Sequence, residues 1–157
     1  MTAGSNPSRW RPRLAETLGL IAAAAPAFTD EWWIIGSAAA ALAGADIAEV
    51  RDVDLLLSER DATALLARWA GAPKAPPDPS DQFRSAVFAR FQHLPLAVEA
   101  FGGFEMRVRG RWRRVEPMTR LRCGGVFTPS TAEQIALLEA MGREKDGARI
   151  AALRARL

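Results

Sequence analysis

Cysteine and histidine each occur only once in this chain of 157 residues, and tyrosine is missing. Cys123 is the single cysteine, so an internal disulfide is impossible, and a reduced, cytoplasmic setting fits best. Tyrosine is absent, which excludes any covalent modification of a tyrosine hydroxyl. His93, the one histidine, begins a His-Leu-Pro turn and has no cluster of other ligands around it in sequence. We interpret it as a turn residue rather than a metal ligand or a general base.

Long apolar runs are missing as well. No segment is long and apolar enough to cross a membrane, and the basic N-terminal residues lack the apolar core of a signal peptide. We therefore predict a loose leader over residues 1–12, a single domain over residues 13–157 and no membrane partner. The net charge of +3 permits an anionic partner such as a nucleotide or RNA, but it does not require one.

The most informative stretch lies between residues 32 and 58. An apolar run that ends at Gly36-Ser37 predicts a buried strand, and the alanine-rich residues 38–43 predict a short helix. A second apolar run, also predicted to be a strand, carries Asp52 and Asp54. Residues two apart on a strand share a face, so these carboxylates project together, repel each other and need a compensating cation. Oxygen ligands favour Mg²⁺ or Mn²⁺, whereas the simpler interpretation is a strand end with solvated acids.

The order of these motifs, Gly-Ser after one strand and Asp-x-Asp on the next, resembles the polymerase-beta-like nucleotidyltransferase superfamily. The resemblance implies that Gly36 and Ser37 hold the triphosphate of a nucleotide, and that Asp52 and Asp54 bind the metal ions. It also implies a third acid on a later strand. Taken alone, Gly-Ser is explained equally well as a turn with a helix cap.

Glu99 is the candidate for the third acid. It lies in the middle of an apolar strand predicted over residues 94–104, where an unpaired charge is costly. By resemblance to the superfamily, Glu99 completes the catalytic and metal-binding set with Asp52 and Asp54. The alternative is a salt bridge between Glu99 and one of the many arginines of the chain.

Arginine recurs at every second position from residue 107 to residue 113. If one strand continues, Arg107, Arg109, Arg111 and Arg113 share a face, whereas a hairpin turn at Gly110 would carry them outward on two arms. Such a basic zone suits a triphosphate or RNA. A solvated edge strand, whose charges prevent aggregation, explains the pattern equally well.

The sequence Gly-Arg-Glu-Lys-Asp at residues 142–146 opens the last predicted helix. It resembles a C-terminal pattern, Gly-Arg-x-Lys-Asp, of small nucleotidyltransferases that include lincosamide-modifying enzymes and abortive-infection toxins. The resemblance implies that Lys145 helps to hold the triphosphate and that Asp146 supports the site. A charged first helical turn is the simpler interpretation.

The remaining patterns predict the other elements. Helices are predicted over residues 13–25, after Ser58 and after Ser130, and the last of these ends at Gly142. The proline-rich residues 73–80 predict a surface loop, and clean alternation predicts a strand over residues 83–92. The expected fold is α/β (α+β), with a mixed sheet of four or five strands, helices packed on one side and an open face that bears the three acids.

These resemblances together imply a metal-dependent nucleotidyltransferase that moves a nucleoside monophosphate from an NTP to an acceptor and releases pyrophosphate. Mg²⁺ or Mn²⁺ would be the cofactor, and the acceptor would be RNA, a protein or a small molecule. A cognate toxin or antitoxin would be a further partner. Two other classes stay open, a catalytically inactive antitoxin that keeps the fold and an RNA-binding module that uses the arginines.

Overall fold

The computed structural model describes residues 7–69 and 80–157. The loop predicted over residues 73–80 therefore lies outside the described residues, except for Ser80. Within the described ranges, no helix has the length and apolar character needed to cross a membrane. The helices are α1 (Pro7–Ala24), α2 (Gly36–Leu42), α3 (Glu59–Arg68), α4 (Thr131–Met141) and α5 (Gly147–Arg154), with 3₁₀ turns at Ala25–Ala27 and Glu144–Asp146. The strands are β1 (Trp33–Ile35), β2 (Asp52–Leu57), β3 (Phe83–Arg84), β4 (Val87–Phe91), β5 (Ala97–Gly102), β6 (Glu105–Val108), β7 (Arg111–Arg114), β8 (Leu121–Cys123) and β9 (Val126–Thr128).

Four strands form the central sheet in the order β1-β2-β5-β4. The two middle strands, β2 and β5, are parallel, and each outer strand runs antiparallel to its neighbour. The remaining strands form a three-stranded sheet, β3-β6-β7, and the two-stranded β8-β9 ribbon. The predicted fold class, a mixed sheet of four or five strands combined with helices, is confirmed.

The main hydrophobic core lies on one face of the central sheet, where α1 and α3 pack. Alternating residues of β2 point to this face because successive side chains on a strand project to opposite sides. The core includes Leu14, Leu18 and Ile21 of α1, Ala62 and Leu65 of α3, and Val53, Leu55, Val98 and Ala100 of the sheet. The intervening residues of β2 and β5 consequently project from the opposite face.

That opposite face is apolar at one end and acidic at the other. At the apolar end, Trp33 and Leu56 are buried against Phe104, Met106 and Val115, which belong to β6 or flank the β6–β7 hairpin. The other end is acidic, and its side chains come from the first halves of β2 and β5. It faces a cavity rather than a second layer of core.

Helices α4 and α5 pack on α2 at the edge of the acidic face, through Ala40, Ile135, Leu138 and Leu153. The predicted ends of α4 are confirmed. The Ser130 hydroxyl accepts a hydrogen bond from the Glu133 backbone N–H at 3.1 Å, and Gly142 ends the helix with a left-handed φ of 63°. This packing places the α4–α5 connection beside the acids.

Helix α1 begins at Pro7, so residues 7–12, which were predicted to belong to a leader, are helical. Trp10 extends the apolar stripe of Leu14 and Leu18 by one turn and is only 4% exposed. Its indole N–H donates to the Ala48 carbonyl at 3.2 Å. The prediction began after Pro12, a residue that breaks helix interiors, but here Pro12 lies within the first two turns of the helix.

The strand predicted over residues 83–92 is wrong, because β3 and β4 belong to different sheets. Val87 of β4 pairs with Gly102 of β5, whereas Phe83 of β3 pairs with Met106 of β6. The division follows a bend between β5 and β6 at Gly103, which has a φ of +64°. The strand predicted over residues 94–104 is accordingly shorter. Alternation of side chains continues through such a bend and does not reveal it.

The arginine-rich segment is a hairpin, which was one of the two predicted alternatives. β6 and β7 are antiparallel around Arg109 and Gly110, whose φ values of 51° and 76° match a two-residue turn of the primed type. Arg107 stands opposite Trp112 in this register, so Arg107 and Arg111 lie on opposite faces of the hairpin. The four arginines of the predicted basic zone, Arg107, Arg109, Arg111 and Arg113, are all exposed.

Candidate active site

Three carboxylates lie side by side on the open face of the central sheet. β2 contributes Asp52 and Asp54, and the adjacent β5 contributes Glu99, which stands directly opposite Asp54 in the parallel register. Side chains two residues apart on a strand share a face, and residues opposite each other on neighbouring strands do so too. The structure therefore brings the three predicted acids together, in the wall of a cavity of about 1240 Å³.

Asp54 occupies the least favourable electrostatic position of the three. The pKa of its carboxyl is raised from 3.8 to about 7, first by burial and then by the negative charges of Glu99 and Asp52. Arg149 and Arg143 oppose this rise at longer range. Among the described residues, no side chain forms an ion pair with Asp54. Added positive charge would therefore stabilise the site most at this carboxylate.

Gly36 allows the Asp54 carboxylate to approach the backbone between β1 and α2. The φ of Gly36 is +70°, and a Cβ atom built on it would lie 2.6 Å from Asp54 Oδ2. Both the backbone conformation and the lack of space therefore require glycine. Ser37 follows, and its half-buried side chain lines the same cavity. The two residues predicted to bind nucleotide thus lie beside the acids, while their contact with a nucleotide stays a prediction.

Arg90, which lies on the neighbouring strand β4, binds two of the three acids. It stands opposite Glu99 in the antiparallel pairing of β4 with β5. Its Nη1 donates to Glu99 Oε1, and its Nη2 donates to Asp52 Oδ1 at 3.1 Å. Burial lowers the pKa of Arg90, but the two carboxylates outweigh burial and the pKa is raised overall. The salt bridge that the sequence left open as an alternative for Glu99 is therefore present alongside the grouping of the acids.

The chemistry of the acids fits a hard divalent cation, although they are not arranged as a finished metal site. Over residues 7–69 and 80–157, no three histidine, cysteine, aspartate or glutamate side chains are grouped so that they could hold a metal ion. The donors are nevertheless all carboxylate oxygens, which Mg²⁺ and Mn²⁺ prefer. After burial, which is the largest cause, Glu99 and Asp52 still help to raise the pKa of Asp54, although Arg90 binds both of them. Asp52, Asp54 and Glu99 supply these oxygens, and the three side chains would have to move closer together to share one ion.

A basic segment at the junction of α4 and α5 also lines the cavity. Arg143, Lys145 and Arg149 are its cationic side chains. Asp146 is only 1% exposed; it accepts a hydrogen bond from Arg143 Nε at 2.7 Å and lies 3.7 Å from Arg149 Nη1. Asp146 therefore holds two arginines in place, while Lys145 is exposed. The role predicted for Asp146, to support a nucleotide site, stays a prediction.

Sequence reasoning missed three arginines of the site, and in each case a signal existed. Arg90 and Glu99 are equidistant from the turn around residues 94 and 95, as partners in an antiparallel pair of strands must be. Arg143 and Arg149 lie three residues before and three residues after Asp146. Residues three apart on a helical turn are neighbours, so this spacing predicts that both arginines reach the same acid.

The other half of the cavity is aromatic. Phe88 and Phe101, each two residues along the strand from Arg90 or Glu99, face each other with ring centroids 5.2 Å apart. Phe104 lies 5.2 Å from Phe101, and Phe83 stacks on Phe104 at 5.8 Å. A cavity with a charged half and an aromatic half is typical of sites that bind small organic molecules with polar groups.

The exposed arginines of the β6–β7 hairpin do not contribute to this cavity. Of the hairpin residues that the structure describes, Trp112 lines it, and the guanidinium of Arg84 covers the Trp112 ring at 4.2 Å. The four predicted RNA-binding arginines are exposed and do not line the cavity. Any role of theirs in binding therefore concerns a ligand large enough to extend beyond the cavity.

A scan against models of protein families and a search of curated proteins find no match. Among solved structures, the chain is similar to the crystal structure of a "putative nucleotidyltransferase" from Thermotoga maritima, with a TM-score of 0.73 and 18% sequence identity. The similarity covers 94% of this chain and 96% of that one. At this identity the likeness shows a shared fold, and this chain therefore has a nucleotidyltransferase-like fold.

Proposed function

We propose that the protein is a metal-dependent nucleotidyltransferase, which moves a nucleoside monophosphate from an NTP to an acceptor and releases pyrophosphate. The observation that carries the proposal is the placement of three carboxylates and three basic side chains in the wall of one cavity. Nucleotidyl transfer needs both kinds of group, because carboxylates hold the metal ion and positively charged side chains hold the triphosphate. The fold shared with the Thermotoga maritima protein supports the same class of reaction.

Each part of the cavity has a role in the proposal. Asp52, Asp54 and Glu99 would hold Mg²⁺ or Mn²⁺, and the bound ion would neutralise charge on the triphosphate and on the departing pyrophosphate. Ser37 would donate its hydroxyl to a phosphate oxygen. Lys145, together with the two arginines that Asp146 holds, would supply positive charge to the remaining phosphate oxygens.

The proposed reaction is an in-line displacement. An acceptor hydroxyl attacks the α-phosphorus, and an oxygen–phosphorus bond forms as the bond from that phosphorus to the bridging oxygen breaks. Pyrophosphate leaves with the electron pair, and the hydroxyl proton passes to Asp54 or Glu99. Most of the rate enhancement would come from positioning and from fixed charge, because the protein forms no covalent bond itself.

Transfer of label tests the proposal. The purified protein would be incubated with α-labelled or γ-labelled NTPs, Mg²⁺ or Mn²⁺, and either RNA, cell extract or pools of small hydroxyl compounds. Label should pass to an acceptor from the α-labelled NTPs alone, and Asp54→Ala should abolish the transfer. Asp30→Ala, which removes an exposed pair with Arg60, is the matched control and should retain it. Transfer that is undiminished in Asp54→Ala would contradict the proposal.

The contacts of Arg90 favour a second candidate, a catalytically inactive module that keeps the fold. Arg90 neutralises Asp52 and Glu99 in the way that a metal would. Such a module could act as an antitoxin, and a cognate toxin or antitoxin stays a predicted partner. This candidate predicts nucleotide binding without label transfer at any metal concentration. Purification of the native complex from its source cells would test the partner.

RNA as acceptor would use the exposed hairpin arginines. Neutralising Arg109, Arg111 and Arg113 to Gln should then weaken binding of RNA and flatten its salt dependence by about one unit of slope for each lost phosphate contact. Neutralising three exposed arginines of α1 changes the net charge equally and should leave the slope unchanged; these are Arg9, Arg11 and Arg13. Equal slopes for the two triple variants would remove RNA from the expected partners.

A further inference from the structure

We infer that Arg90 is a built-in counter-ion, which competes with a divalent cation for Asp52 and Glu99 and so sets the affinity of the acidic site for metal. The inference rests on the proposed metal site and adds to it a residue that controls when the site is loaded. It concerns the binding of metal and the stability of the metal-free protein, both of which can be measured without turnover.

The geometry shows one guanidinium shared between two strands. Arg90 on β4 reaches Glu99 on the adjacent β5 and Asp52 on β2, one strand further, through two different nitrogens. A guanidinium presents its donors in a rigid fork, so one side chain holds two carboxylates in a fixed relation. Its own side chain is 24% exposed, which allows it to be displaced without unpacking the core.

Arg90 differs in one respect from the arginines of the α4–α5 junction. Asp146, the acid that those arginines bind, is 1% exposed and stays enclosed by its partners. The acids bound by Arg90 line the same cavity as Asp146, but they are 24% and 37% exposed. Asp52 and Glu99 are thus paired and still accessible to a ligand, as a competition between two cations requires.

The competition follows from the charges. A divalent ion that binds at Asp54 also approaches Asp52 and Glu99, where it meets the positive charge of Arg90. Binding of the ion alone must therefore break a contact of Arg90 or tolerate repulsion from it. An ion that arrives with an anionic triphosphate meets less repulsion, because the phosphates compensate the charge of the guanidinium. Arg90 consequently favours loading of the metal together with the nucleotide.

Binding of Mn²⁺ alone, measured from the paramagnetic resonance signal of the free ion, tests the inference. Arg90→Gln should bind Mn²⁺ at least about tenfold more tightly than the unaltered protein, because both the competitor and its charge are removed. Arg90→Lys should fall between them, since an ammonium keeps the charge but cannot hold two acids in a fixed fork. Arg60→Gln, which breaks a bidentate pair with Asp30, is the control and should leave Mn²⁺ affinity unchanged.

Thermal unfolding gives a second measurement and shows whether each variant folds. In EDTA, Arg90→Gln should melt at a lower temperature than the unaltered protein. Mn²⁺ should raise the melting temperature of Arg90→Gln by more than it raises that of the unaltered protein. If Arg90→Gln does not fold, Arg90→Lys replaces it, and a gain in Mn²⁺ affinity is still required.

An Arg90 variant that folds but binds Mn²⁺ no more tightly than the unaltered protein would overturn the inference, and so would a failure of both to bind Mn²⁺. Tighter binding of Mn²⁺ to the variant, without label transfer by either protein, would support the role of Arg90 as a counter-ion. The same result would contradict the proposed nucleotidyltransferase activity. The failure of the inference and the failure of the proposed function are therefore distinguishable.

Discussion

Replacement of Asp54 by Asn should stabilise the metal-free protein at high pH and have little effect at low pH. The pKa of Asp54 is raised from 3.8 to about 7 in the folded protein, by burial and by the charges of Glu99 and Asp52. Between these values the folded protein keeps a proton that the unfolded chain releases. The contribution of Asp54 to the free energy of unfolding therefore decreases as the pH rises from about 4 to about 7 and levels off above that interval.

The size of the effect follows from the shift. A pKa raised from 3.8 to about 7, at ~1.36 kcal/mol per unit, corresponds to about 4 kcal/mol for a fully enclosed carboxyl. Asp54 is half-buried, and solvent reduces the penalty, so we expect the difference between the two proteins to grow by about 2–4 kcal/mol from pH 4 to pH 8. Asn keeps the shape of the side chain and cannot ionise, so this growth should reflect the charge alone.

Urea unfolding in EDTA, followed by tryptophan fluorescence at several pH values, measures this difference. Asp52→Asn is the matched control, because it removes a neighbouring carboxylate that is paired with Arg90. Loss of that pair should make Asp52→Asn no more stable than the unaltered protein at pH 8. If the stability difference for Asp54→Asn is the same at pH 4 and pH 8, our account of the electrostatics of the site is refuted.

Two further substitutions test the surroundings of the acids. Gly36→Ala should destabilise the protein by about 2 kcal/mol in urea unfolding, because its backbone is left-handed and the new Cβ would meet Asp54. Gly147→Ala, at an open position in a helix, is the control and should leave the stability unchanged or raise it slightly. Asp146→Asn should cost about 3 kcal/mol and weaken NTP binding by calorimetry, because two arginines lose the acid that holds them. Unchanged NTP affinity in Asp146→Asn would show that these arginines do not bind the triphosphate.

The acidic site could be predicted from the sequence because local alternation determines its geometry. Asp52 and Asp54 must share a face of any strand that buries Val53 and Leu55, and β2 is such a strand. Gly36 could be identified from the Gly-Ser motif, although the reason for it, close approach of the Asp54 carboxylate, depends on three-dimensional contact.

The difference between the two aspartates could not be predicted in the same way. If mutual repulsion were the only effect, removal of either carboxylate would be expected to stabilise the fold. However, Asp52 is paired with Arg90 and Asp54 is not. That pairing depends on the order of strands, which places β4 beside β5 and β5 beside β2. The alternation of apolar and polar side chains also failed to predict the break between β3 and β4, because this pattern continues where a chain passes from one sheet to another.

The position of Mn²⁺ in a crystal grown with a non-hydrolysable ATP analogue tests the central claim most directly, because anomalous scattering locates this ion without ambiguity. Our account predicts an Mn²⁺ peak in contact with Asp52 and Asp54, with Arg90 released from at least one acid and the phosphates beside Ser37 and Lys145. A bound analogue with no Mn²⁺ peak at these acids, and with Arg90 still on both carboxylates, would contradict it.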